Sequence, residues 1–258
     1  QFCFLSKRWQ ILLNIGRRHL TFADSAKITL ASMLANLLLI TSVGGVFVRI
    51  AMAVQHGAHL LKAFIATASD RVMTLVALVL LSAFFLPVLA HRMDDALFQS
   101  LTLWIAVFIL LTFFFTPFFI RFLAQSFPAL ARNDRRIRYG LRYLRVLMRS
   151  RRLIVMTIVT SLIAQMFYFI AVYCIALSTG TEIPLLPLLA VLPLIALISS
   201  LPIGIGGWGV REGAFIFGLG LLDIPMETAF LISVQIGLIG MISTLMAGLP
   251  MILTMDLA

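Results

Sequence analysis

Arg211 and Glu212 close the run Leu201-Pro202-Ile203-Gly204-Ile205-Gly206-Gly207-Trp208-Gly209-Val210 in a chain that is 62% hydrophobic and only 12% charged. An arginine beside glycine-rich, broken backbone can hold a phosphate through its planar fork, helped by amides at a helix start. The neighbouring glutamate can meet a cationic group or neutralise the arginine. Arg49 stands in the same relation to Gly44 and Gly45, while Asp70 and Arg71 form a second adjacent pair inside an apolar run. A charge at bilayer depth costs about 3 kcal/mol or more, so it faces an interior and marks either a substrate path or an ion pair that fixes helix register. Arg211, Glu212, Arg49, Asp70, Arg71, Gly206 and Gly207 are therefore the candidate substrate-binding residues. Asp70 and Arg71 are expected to pair with Arg49 or Glu212.

No other set of residues offers chemistry. His19, His56, His59 and His91 are scattered, and Cys3 and Cys174 have no metal-ligand spacing. There is no P-loop or dinucleotide fingerprint, so neither a cofactor nor a metal is expected. The formal net charge is +10, but the basic residues lie between apolar spans, which points to anionic lipid headgroups and not to nucleic acid.

The elements that hold these residues are membrane spans. Residues 63–90, 97–120, 153–177 and 228–254 are apolar runs long enough to cross a hydrocarbon core of about 30 Å. The second is joined to the first by the polar turn His91 to Asp95, as in a transmembrane hairpin. Residues 28–48 are apolar but broken at Gly44-Gly45 and ended by Arg49; residues 185–222 are broken at 202–209, with only ten apolar residues after Glu212. Residues 1–27 carry Lys7, Arg8, Arg17, Arg18 and Lys27 against Asp24, and residues 132–152 carry nine arginines against Asp134. Both belong on the cytoplasmic face of a cell membrane, expected to be a bacterial inner membrane. The first residue, Gln1, opens no signal-peptide pattern, and further native sequence is expected before it.

Two clusters on one face require an even number of crossings between them. Residues 63–120 supply two, so the broken segment before them is expected to enter and return, and the second broken segment to do the same from outside. The breaks also match: Val43-Gly44-Gly45-Val46-Phe47-Val48-Arg49 sets against Ile205-Gly206-Gly207-Trp208-Gly209-Val210-Arg211, with Ala63-Phe64-Ile65 later answering Ala229-Phe230-Leu231. The expected fold is an all-α polytopic transmembrane bundle with two re-entrant broken helices forming an inverted repeat, the arrangement that places transporter sites at the midplane. It is one membrane domain, 1–258, with a first half at 28–120, an arginine-rich cytoplasmic stretch at 121–152 and a second half at 153–258. In that stretch Arg138, Arg142, Arg145, Arg149 and Arg152 follow helical spacing beside Ile137, Leu141, Leu144 and Met148, which fits an interfacial helix facing lipid headgroups, the alternative being a solvated positive-inside loop with no further role.

The sequence from Leu201 to Gly213, with its short apolar stretch and acidic turn, resembles the transmembrane region of the lysylphosphatidylglycerol synthase family of flippase-like proteins. Asn36, Gly44, Arg49 and Asp70-Arg71 look like that family's first half, with Thr41-Ser42-Val43-Gly44 in place of its Pro-Gly-containing turn. The resemblance implies movement of a phospholipid or lipid-linked headgroup between leaflets, without the soluble synthase domain, so no enzymatic activity is expected. The alternative is a non-transporting membrane partner of a lipid-modifying or glycosyl-transferring enzyme.

Overall fold

The computed structural model describes residues 1–16, 20–38, 44–89, 99–100, 102, 142–143, 145–200 and 209–253, among which there is no strand. Three helices are long and apolar enough to cross a membrane: α4 (Leu60–Leu89), α5 (Arg151–Ser178) and α8 (Met226–Leu253). At 1.5 Å per residue they measure about 40–45 Å, more than a hydrocarbon core of about 30 Å requires. Their outward faces carry Phe84, Ile170 and Met246, each more than half exposed. Such a surface is a liability in water and is at home against acyl chains. The chain is a multi-pass membrane protein.

The remaining helices are shorter. They are α1 (Phe2–Leu13), α2 (Phe22–Leu38), α3 (Gly44–Gln55), α6 (Leu185–Ser199) and α7 (Val210–Gly220). None of these five exceeds about 25 Å. α2 packs against α3, and α6 against α7. The first pair is a hairpin whose two free ends meet. Thr21 caps α2, exchanging hydrogen bonds with Asp24, whose carboxyl is held below the usual carboxylate range chiefly by the Thr21 hydroxyl at 2.6 Å. Ile28 near the start of α2 and Ile50 and Ala53 toward the end of α3 share one buried cluster, which sets the two ends side by side.

Two apolar clusters occupy opposite ends of the bundle. One gathers Ala63 and Ala66 near the start of α4, Leu153 near the start of α5, and Ile28, Ile50 and Ala53 from the α2–α3 pair. The other gathers Leu86 and Leu89 from the end of α4, Val172 and Ala176 from the end of α5, Leu188, Leu219 and Leu222 around the α6–α7 pair, and Ala229 from the start of α8. So α4 and α5 run the same way and α8 runs against them, as the charge count requires. The two short pairs open toward opposite ends. Packing is reciprocal as well: α4 lies on α6, and α8 lies on α2, where Leu34 fills the place that a side chain at Gly248 would need.

Several expectations are corrected. Arg8, counted with the basic residues of 1–27, does not face outward: Leu5, Arg8, Trp9 and Leu12 share one face of α1, and all but Leu5 are buried. Arg49 does not end the broken segment but sits in the middle of α3, and Arg211 and Glu212 fall in the first turn of α7 instead of preceding it. Among the described residues of the arginine-rich stretch, Tyr143 and Leu147 are buried, whereas Met148 is exposed. The Tyr143 hydroxyl donates to the Leu12 carbonyl at 2.8 Å, and this bond sets the helix's phase against α1. The span at 97–120 (apart from residues 99, 100 and 102), the turn His91 to Asp95, and Ile137, Arg138, Leu141, Leu144, Gly206 and Gly207 lie outside the described residues.

Candidate functional site

Asp70 is the eleventh residue of α4, about 15 Å along the helix and between the two apolar clusters. Arg8 donates to its Oδ1 from Nε at 2.6 Å, and Arg49 donates to its Oδ2 from Nη1 at 3.1 Å. Arg8 uses Nη1 as well, donating to the Ser161 hydroxyl of α5 at 2.8 Å, and Ser161 in turn donates to the Thr157 carbonyl. The guanidinium of Arg49 lies over the Trp9 ring, 5.3 Å from its centroid, a cation–π contact. One carboxylate thus ties α1, α3, α4 and α5 together. A buried carboxylate is tolerated when both oxygens accept charge-assisted bonds, and that condition is met here.

Arg71 takes no part. It is exposed, because neighbouring helical residues point about 100° apart and Asp70 has taken the inward face. The expected pairing therefore holds for Asp70 with Arg49 and not for Arg71.

The second cluster sits at the start of α7. Gly209 adopts φ +85°, a conformation that L side chains rarely take. This turn carries the backbone out of the glycine-rich break and into the helix. The Gly209 amide donates to Glu212 Oε2, while Arg211 donates to Oε1 from Nη2 at 2.8 Å and from Nε at 3.1 Å. Glu212 satisfies an amide that the first turn leaves without a helical acceptor, and its charge suits the helix N-terminus. The pairing with Arg211 that its position allows is present. The guanidinium lies against the backbone of Gly237 on α8, where an added Cβ would run into it. Its side chain keeps one fifth of its surface, against 9% for Glu212. Gly209→Ala should cost about 1–2 kcal/mol of stability from backbone strain alone, since nothing lies within 4 Å of the added carbon. Thermal unfolding in detergent would check this.

In both halves the arginine of the short helix reaches the next long helix: Arg49 reaches Asp70 of α4, and Arg211 reaches Gly237 of α8. Arg8, Trp9 and Ser161 are the site residues that motif reading missed. Arg142, Arg145, Arg149 and Arg152 are exposed on and beside the helical stretch that Tyr143 docks on α1. No three His, Cys, Asp or Glu side chains converge among the described residues. Neither curated proteins nor solved structures match the chain. The family model described as Lysylphosphatidylglycerol synthase TM region matches residues 1–248, so the chain belongs to that family of membrane domains, whose role is lipid-related.

Proposed function

We propose that the protein moves a phospholipid-type headgroup between leaflets, with the acyl tails left in the bilayer. One observation carries this reading: two short helix pairs, open toward opposite ends of an apolar-surfaced bundle, each bring an arginine against a buried carboxylate, Arg49 against Asp70 of α4 and Arg211 against Glu212 of α7 itself. Paired broken helices in corresponding halves are where transporters of the inverted-repeat type hold their substrates. The reciprocal packing of α4 on α6 and α8 on α2 supports such a repeat, with α1 as the first-half counterpart of α5. In this reading both pairs are re-entrant, and Arg142, Arg145, Arg149 and Arg152 face anionic headgroups on the cytoplasmic side. Arg211, on a helix start against a glycine, would take the phosphate as it passes.

Purified protein in vesicles should accelerate transbilayer movement of headgroup-labelled phospholipid. Arg211→Ala should lower that rate by about tenfold or more, the worth of one charge-assisted hydrogen bond. Gly237→Ala gives a second test that keeps Arg211 itself, because the added methyl meets its guanidinium and displaces it from Glu212. If wild-type protein moves no anionic, zwitterionic or cationic phospholipid, translocation is wrong, and a non-transporting partner of a lipid-handling enzyme takes its place.

A further inference from the structure

We infer that the Arg8–Asp70–Arg49 cluster selects the headgroup by charge, accepting a singly anionic phosphodiester at Arg49. The inference rests on the translocation reading and assigns that site its ligand class. The two clusters differ in their charge sum. Arg211 and Glu212 balance, whereas Arg8 and Arg49 share the single carboxylate of Asp70, leaving one positive charge over.

The two arginines are not equivalent. Arg8 is buried, with a side chain 3% exposed, and is committed to Asp70 through Nε and to Ser161 through Nη1. Arg49 gives Asp70 only Nη1, and its side chain is 12% exposed. Its Nε and Nη2 have no protein acceptor among the described residues, while the Trp9 ring on one side and the bond from Nη1 to Asp70 hold the guanidinium in place. A planar, oriented pair of N–H groups suits a phosphate oxygen pair.

A lone buried charge is unfavourable until a counter-charge reaches it, and one phosphodiester closes the balance. A zwitterionic headgroup brings an ammonium as well, which the excess positive charge of Arg8 and Arg49 would repel. The cluster thus discriminates by what it repels as much as by what it attracts. Arg8 is a positioning residue: by occupying one oxygen of Asp70 it leaves Arg49 only partly neutralised.

The test is a ratio. Trace labelled phosphatidylglycerol and phosphatidylethanolamine would be followed in phosphatidylcholine vesicles containing wild-type, Arg49→Gln or Arg49→Lys protein. Wild type should move phosphatidylglycerol faster by about tenfold or more. Arg49→Gln, which brings the cluster to neutrality, should bring the ratio near one, and Arg49→Lys should keep the preference at a lower absolute rate. Equal movement of both lipids by wild type, or a ratio that Arg49→Gln leaves unchanged, would overturn the inference.

A second measurement separates this from translocation itself. Short-chain phosphatidylglycerol, added to detergent-solubilised protein, should raise its unfolding temperature more than short-chain phosphatidylethanolamine does, and Arg49→Gln should lose that difference. If wild type moves no lipid yet shows this shift, the anion site stands and translocation falls. If the shift is absent, the anion site falls whatever the transport result.

Discussion

Asp70→Ala should destabilise the protein by about 3–5 kcal/mol, because it removes the one acceptor shared by two buried arginines. What remains is worse than a lost hydrogen bond. Two guanidiniums stay inside the bundle with like charges facing each other, and four helices lose their common tie. Arg8→Met should cost less, since Asp70 and Arg49 then remain as a balanced pair, although Asp70 Oδ1 and the Ser161 hydroxyl each lose a donor. The double variant Arg8→Met with Asp70→Ala should recover part of the Asp70→Ala loss, a coupling of about 1–3 kcal/mol between neighbours in one network. Denaturant unfolding in mixed micelles would measure all three. An Asp70→Ala loss under about 1 kcal/mol, the usual worth of an exposed ion pair, would mean that water reaches the cluster.

The long helices were legible because an apolar run has no alternative partner at bilayer depth. The expected spans at 63–90, 153–177 and 228–254 lie within three residues of α4, α5 and α8 at both ends. The glycines beside the two breaks serve different ends: Gly209 takes a positive φ, whereas Gly45 lies in the first turn of α3 and lets it approach the Ser32 carbonyl of α2. Helical phase was harder. α4 is apolar nearly all round, so no stripe says which side faces in, and Asp70 and Arg71 could be ranked only once neighbouring helices were in place. Counting positive charges gave α4, α5 and α8 their directions but treated Arg8 as one more cytoplasmic charge. The signal that could have found it is local: Leu5, Arg8, Trp9 and Leu12 follow the spacing of an apolar helical face, and an arginine on such a face must be paired. The start of α7 was likewise readable from Gly209 followed three residues later by Glu212, the spacing of a capping box.

Gly45→Ala should unfasten the α2–α3 pair, at a cost of about 1–3 kcal/mol for overpacking and about 1 kcal/mol more if the cap is lost. The Gly45 amide donates to Asn36 Oδ1 at 2.6 Å, and this bond closes the break by satisfying an amide in the first turn of α3. A methyl there would run into the Ser32 carbonyl and the Asn36 amide group. The Asn36 side chain can turn away only by giving up the cap. The carbonyl is main chain inside α2, so α2 itself has to move, and through Leu34 it bears on Gly248 of α8. Gly248→Ala meets the Leu34 side chain, which is buried but is not main chain, and should cost less. Hydrogen–deuterium exchange distinguishes local loosening from general instability. In Gly45→Ala, exchange should rise across Gly44–Gln55 and the adjoining turns of α2, while Leu185–Ser199 and Val210–Gly220 keep their protection. A variant as stable as wild type, with unchanged exchange in α3, would show that the two helices do not approach at this glycine and would remove the support that the first break gives to a paired, re-entrant site.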